Sequence, residues 1–204
     1  VGPDPNSPSM AGVMPDVTGG EAVAKCREGD ARSSIPVLDR LLWATPPPGV
    51  AYLLVTHPNP DGESAGTRQN GRGVDLNRNF PGWQAGEHGG LYDPGPGPLS
   101  EPESAALHAL VEARRPTAVL TFHQALNIID HSGRDSLPYA QAFAATTGVP
   151  QQQTTAFPGS FGTWLDTAQP EIVTLTVELP RPVPAALLDR TETAVTQLAS
   201  SLTR

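Results

Sequence analysis

Apolar residues along this chain fall into two kinds of run. Val50–Thr56 (VAYLLVT), Thr117–Phe122 (TAVLTF) and Ile172–Val177 (IVTLTV) are short and continuous. Runs of that kind predict strands covered on both faces of a sheet. Elsewhere the apolar positions recur at helical spacing: Ile35, Val37, Leu38, Leu41 and Leu42 within Ser33–Trp43, and Leu187, Leu188, Val195, Leu198 and Leu202 within Ala185–Leu202. These predict amphipathic helices, the first stopped by Pro46-Pro47-Pro48-Gly49. Ser100-Glu101-Pro102-Glu103 predicts a third helix start, with Ser100 as N-cap, Glu103 completing a capping box and Pro102 in the first turn, running to about Arg114. Leu137–Thr147 predicts a helix ended by Gly148, and Ala22–Cys26 a short strand. Apolar strands alternating with helices predict an α/β fold: a three-layer α/β/α sandwich with a mixed, largely parallel sheet.

Between these elements the pattern breaks twice. Residues 1–20 are rich in Pro, Gly, Ser and Asp and read as an N-terminal arm before a single domain over 21–204. Residues 57–99 form a long Gly/Pro/Asn/Asp region, and a loop that long inside a compact domain usually carries function. Composition narrows the classes. The chain is 38% hydrophobic and 17% charged, with a net charge of −8. That is a folded chain, and its acidity argues against nucleic acid and anionic membranes as partners. No apolar run approaches the roughly 18 residues of a membrane span. Cys26 is the only cysteine, which excludes an internal disulfide framework and a Cys-rich zinc site. Residues 1–20 hold no basic start followed by an apolar stretch, so the expected location is cytoplasmic.

In open α/β sheets, ligands bind beyond the carboxyl ends of the strands. Three such ends are polar here: His57-Pro58-Asn59-Pro60-Asp61-Gly62, His123-Gln124 and Glu178-Leu179-Pro180. Singly, each has a plain structural reading as a core histidine, a surface acid or a turn. The stretch Thr67–Pro81 (TRQNGRGVDLNRNFP) is harder to read that way, because it sets Arg68, Arg72 and Arg78 among Asn70, Asn77 and Asn79 in a Gly-punctuated loop. Guanidinium forks and amide donors suit a substrate carboxylate.

NPDG followed by TRxNxxGVDLNRNFP resembles the zinc metallocarboxypeptidase family, and within it the bacterial murein peptide amidase branch, which cleaves the γ-D-glutamyl–diaminopimelate bond of cell-wall peptides. The resemblance runs from about Ala22 to Leu202 and takes in the SEPE helix, the HQ and the VELP. It implies a metallocarboxypeptidase-like fold and hydrolysis of short, cell-wall-type peptides recognised through a free carboxylate. It implies that Arg68 polarises the scissile carbonyl and that Asn77 and Arg78 grip the terminal carboxylate. His123 would be the third zinc ligand and Glu178 the general base and acid. Phe157–Trp164, with Ser160 and Phe161, would line the side-chain pocket. The family's first two zinc ligands come from H-x-x-E. On this chain the matching positions are Glu28 and Ala31, so zinc as cofactor rests on the resemblance, with Glu28 and Asp30 as the candidate ligands beside His123, and His131 as a remote one. Two further readings follow from that change: a pseudoenzyme that binds a peptide or amino-acid conjugate, and a hydrolase that uses Glu178, Arg68 and His123 without zinc.

Overall fold

The computed structural model of the chain describes residues 20–26, by their backbone, and 35–202. The described strands form one six-stranded sheet in the order β2-β1-β3-β6-β4-β5. These are β1 (Gly20–Cys26), β2 (Val50–Val55), β3 (Ala118–Gln124), β4 (Ile128–Asp130), β5 (Gln151–Gln152) and β6 (Val173–Leu179). All neighbouring pairs are parallel except β4–β6. The α/β fold and its mixed, largely parallel sheet are therefore as the sequence pattern predicts.

Helices lie on both faces. α1 (Ile35–Trp43), α4 (Leu137–Thr147) and α6 (Ala185–Ser201) pack on one side, where Val37, Leu38, Phe143, Leu187, Val195 and Leu198 meet Leu120 and Phe122 of β3 and Leu175 and Val177 of β6. α3 (Pro102–Arg114) and α5 (Phe161–Ala168) cover the other, where Leu107, Val111, Phe161, Trp164 and Leu165 close over Val119. Side chains alternate faces along a strand. Since Ala118, Leu120 and Phe122 belong to the first core, Val119, Thr121 and His123 face the second layer. By the same count Thr174, Thr176 and Glu178 of β6 face it too.

Three expectations about local structure are corrected. β2 is half-buried along its whole length and is one of the two edge strands of the described sheet, so its apolar run is not fully covered. The N-cap of α3 is Glu101, not Ser100, and the capping box does not form. The Ser100 hydroxyl instead donates to the Glu101 carboxylate, and Glu103 takes a hydrogen bond from Asn70. Both acids are engaged by the long loop, a tertiary demand that outweighs the local cap. Thirdly, NPDG opens a short helix, α2 (Pro60–Ala65), where a turn was expected; Asn59 caps it by accepting from Gly62 N at 3.0 Å. No helix among the described residues is long and apolar enough to cross a membrane.

Candidate active site

The parallel register of β3 and β6 sets His123 directly beside Glu178. One step back, Thr121 donates its hydroxyl proton to Thr176 Oγ1 at 3.0 Å, which ties the two strands on this face. His123 is 6% exposed. A cavity of about 320 Å³ opens above this pair, lined by Arg68, Asn77, Arg78, His123, Ser160, Phe161 and Glu178 among others. The described site residues named from the sequence thus converge on one cavity.

The loop that supplies the cations is built by its asparagines and glycines. Asn59 Nδ2 donates to Arg68 O at 3.1 Å, pinning α2 to the loop. A Cβ on Gly62 would lie 2.3 Å from Asn59 Nδ2 and 2.6 Å from Gln69 O, so only glycine permits that approach. Asn70 accepts from Arg72 N and Val74 N and donates to Glu101. Asn79 is fully buried; it donates to Pro94 O and Gly97 O and accepts from Glu101 N. These two asparagines satisfy backbone groups of a buried loop, so neither offers its amide to a ligand.

Asn77 differs. Its Oδ1 accepts from Phe161 N at 2.9 Å, while its Nδ2 has no hydrogen-bond partner among the described residues. Asp75, 1% exposed, accepts from Asn77 N at 2.9 Å and from Arg68 Nε at 2.8 Å, and lies 4.0 Å from Arg78 Nη1. One buried carboxylate therefore organises both arginines and the turn between them. Tyr92 stands over both guanidinium groups, at 5.0 Å from Arg68 and 5.3 Å from Arg78, and Phe157 lies 5.3 Å from Arg78 on a further ring contact. Neither Asp75 nor Tyr92 was named from the sequence as a site residue. Asp75 was visible within DLNRNFP; Tyr92 sits in a stretch with no periodicity to mark it.

Ser160 and Phe161 both line the cavity. Ser160 caps α5, accepting from Thr163 N at 3.1 Å. The Phe161 ring is fully buried against Phe80 and Trp164. Phe157–Trp164, expected as a loop, is half helix, because α5 begins at Phe161.

The other end of the cavity is acidic. Asp130 accepts from Thr154 N, Thr154 Oγ1 and Ser132 Oγ at 2.8–2.9 Å. Asp166, from the last turn of α5, also lines the cavity, and burial, then the Asp130 charge, push its carboxyl up to about 7. The sequence reading missed both acids.

The remaining histidines have structural partners. His57 pairs with Glu63 at 2.7 Å, His88 with Asp93 at 3.1 Å, and the His108 ring lies tilted against Trp164 with centroids 4.4 Å apart. His131 does not line the cavity. Among the described residues no group of three or more His, Cys, Asp or Glu side chains could hold a metal. Glu28, Asp30 and Ala31 lie outside the described residues. A catalytic zinc takes three protein ligands. Of the ligands the resemblance names, His123 lies among the described residues and Glu28 and Asp30 outside them; Ala31 has no donor atom at the position the resemblance gives to a glutamate.

The site is thus a largely parallel sheet whose strand ends set His123 beside Glu178, faced by a loop that carries two arginines. Comparison with known proteins narrows the class. The zinc carboxypeptidase family model matches residues 50–155, a span that includes Arg68, Asn77, Arg78 and His123. Murein peptide amidase A of Vibrio campbellii is 34% identical over 172 residues, covering 78% of this chain and 68% of that protein. Its counterpart in Escherichia coli K12 is 36% identical over 153 residues, covering 67% of this chain and 62% of that protein. The chain spans about two-thirds of the length of these curated relatives. The murein-tripeptide amidase structure from Escherichia coli O157 superposes with a TM-score of 0.69 at 30% identity, covering 93% of this chain and 82% of that one. Carboxypeptidase A of Helicoverpa armigera shares the fold at TM-score 0.70 and 17% identity, covering 93% of this chain and 61% of that one. The chain belongs to the zinc carboxypeptidase family.

Proposed function

We propose that this protein hydrolyses short peptides of the murein type, holding them by a free carboxylate. The observation that carries the reading is the meeting of Glu178 and His123, paired across β3 and β6, with Arg68, Asn77 and Arg78 around one cavity. The names of the amidase relatives support the substrate class.

Each residue has a task its chemistry fits. Arg78, with the Nδ2 of Asn77, binds the substrate's terminal carboxylate through charge-assisted hydrogen bonds. Arg68, fixed by Asp75, faces the scissile carbonyl and holds the oxygen as it gains charge. Glu178 takes a proton from the attacking water as the water oxygen bonds to the carbonyl carbon. When the tetrahedral adduct collapses, the C–N bond breaks and the same proton passes to the leaving amine. No step here is assigned to a metal.

The test is incubation with the tripeptide L-alanyl-γ-D-glutamyl-diaminopimelate and mass detection of free diaminopimelate. Glu178→Gln, nearly isosteric, lowers the rate by about 10²–10⁴. Full activity in that variant moves the chemistry elsewhere. Tight binding without cleavage by the unmodified chain replaces hydrolysis with the pseudoenzyme reading.

A further inference from the structure

The mechanism asks two guanidinium groups to act together, one on the terminal carboxylate and one on the scissile carbonyl, so their relative placement is part of the chemistry. Asp75 meets each of them at one edge, accepting from Arg68 Nε at 2.8 Å and lying 4.0 Å from Arg78 Nη1. A contact at one edge of a planar group sets a distance but not the tilt of the plane. Tyr92 bears on the faces. Its ring centroid lies 5.0 Å from Arg68 Cζ and 5.3 Å from Arg78 Cζ, so one ring meets both cations.

The backbone, and not the side chain, fixes where Tyr92 stands. Residues 90–94 are stitched to the arginine loop at three points. Gln69 Nε2 donates to Gly90 O at 3.0 Å, Asp75 N donates to Asp93 O at 2.8 Å, and Asn79 Nδ2 donates to Pro94 O at 2.8 Å. Gln69 and Asn79 are the sequence neighbours of Arg68 and Arg78. The Asp93 carboxylate braces the segment further by accepting from Gly89 N and Gly95 N. Tyr92 itself is 56% exposed. Among the described residues it joins neither hydrophobic core, and its hydroxyl makes no hydrogen bond. A ring held at the surface by a braced backbone, outside the core and against two cations, serves the cations and not the fold.

We propose that Tyr92 is a positioning residue: its ring sets the planes of Arg68 and Arg78 relative to each other, and so fixes the span between the bound carboxylate and the carbonyl that is cleaved. The proposal rests on the peptide-hydrolase reading. Arg78 also faces the Phe157 ring at 5.3 Å, so it keeps an aromatic face when Tyr92 is lost. Loss of Tyr92 is therefore felt most at Arg68, whose charge is called on as the carbonyl oxygen turns negative. An interaction realised only in the transition state appears in kcat and not in KM.

The experiment is steady-state release of diaminopimelate from L-alanyl-γ-D-glutamyl-diaminopimelate by the unmodified chain, Tyr92→Phe and Tyr92→Leu, with thermal unfolding of each. Leucine keeps apolar bulk and removes the π face; phenylalanine keeps the face and removes the hydroxyl. Tyr92→Leu lowers kcat by about tenfold and changes KM by less than about threefold, whereas Tyr92→Phe retains both within about twofold. Should Tyr92→Leu fail to fold, Tyr92→Gln, whose polar side chain suits an exposed position, is the ringless variant measured instead. An unchanged kcat in the ringless chain, a loss confined to KM, or an equal loss in Tyr92→Phe overturns the proposal, the last by making the hydroxyl a substrate contact. Calorimetry with an Nα-acetylated dipeptide acid and its C-terminal amide separates this proposal from the reading beneath it. If the unmodified chain cleaves the tripeptide and the ringless chain cleaves it equally well, hydrolysis stands and the role of Tyr92 falls. If the unmodified chain cleaves nothing but prefers the acid to the amide, hydrolysis falls and Tyr92 is judged by binding: the ringless chain holds the acid about threefold more weakly and Tyr92→Phe does not, and equal affinities overturn the proposal. If it neither cleaves nor prefers the acid, both fall.

Discussion

At its outer end the cavity carries two arginines gathered around one buried aspartate; at its inner end it carries two aspartates, Asp130 and Asp166. The outer end is assembled in advance. Asp75 holds Arg68 through Nε, its carboxylate also closes the turn at Asn77, and Tyr92 stacks on both guanidinium planes. The two guanidinium groups are thus held in place before a ligand arrives, with side-chain entropy already lost on folding. The inner end is incomplete by comparison. Asp130 is satisfied by its neighbours, whereas Asp166 is sealed at Oδ1 without a donor. The difference separates an end whose charges are organised around a shared partner from one where two like charges face each other.

The largest effect follows from breaking the outer assembly. Asp75→Asn keeps the shape and one acceptor but removes the charge shared by Arg68 and Arg78. Breaking a buried ion pair on one side leaves the partner uncompensated, so the loss of stability is about 3 kcal/mol. Urea unfolding measures it through the transition midpoint. A loss below about 0.5 kcal/mol, the level of a surface pair, would mean that stacking on Tyr92 and solvent hold the arginines, and that the rigid outer end is not Asp75's doing.

Arg78→Ala tests the proposed carboxylate grip and not the scaffold. Its guanidinium lies 4.0 Å from Asp75, at the limit of an ion pair, while Arg68 makes the 2.8 Å contact. Binding of a peptide acid weakens by about 1.5–3 kcal/mol, the worth of a charge-assisted pair. Binding of the matching C-terminal amide changes little. Calorimetry on the two ligands checks both statements, and equal losses for acid and amide would assign Arg78 to packing.

The two ends also differ in how far the sequence announced them. Arg68, Asn77 and Arg78 lie within eleven residues, and a dense polar stretch after a buried run is readable because it conflicts with every ordinary pattern of helix or strand. His123 and Glu178 were readable as polar residues closing apolar runs, and strand pairing then made them neighbours. Asp130 and Asp166 carry no such mark. Each follows an ordinary local pattern, at the end of a three-residue strand and in the last turn of a short helix. They meet only because β4 pairs antiparallel with β6 while α5 packs across it, a relation between distant segments that no local spacing encodes. The same limit explains the errors at Ser100 and β2. A capping box is a local expectation, and the loop's claim on Glu101 and Glu103 is not local. An apolar run says that a strand is buried, but not whether it ends up at the sheet's edge.

The smallest effect concerns the inner end and turns on pH. Burial, followed by the Asp130 charge, raises the Asp166 carboxyl from 3.8 to about 7, with a Thr174 hydrogen bond opposing in part. The folded chain therefore binds more protons than the unfolded chain between those two values, and stability falls as pH rises through the window. Below about pH 4 the carboxyl is protonated in both states and contributes nothing to this slope. Above pH 7 it is ionised in both, and the folded state carries the full cost of two facing carboxylates. Asp166→Asn removes that cost. Because the group is partly open to the cavity and its solvent, the gain is about 1 kcal/mol at pH 8 and close to zero at pH 4. Thermal unfolding of both chains at the two pH values reads the difference. An equal effect of the substitution at both pH values would show that Asp166 acts through packing, and that the contrast between the two ends is one of shape and not of charge.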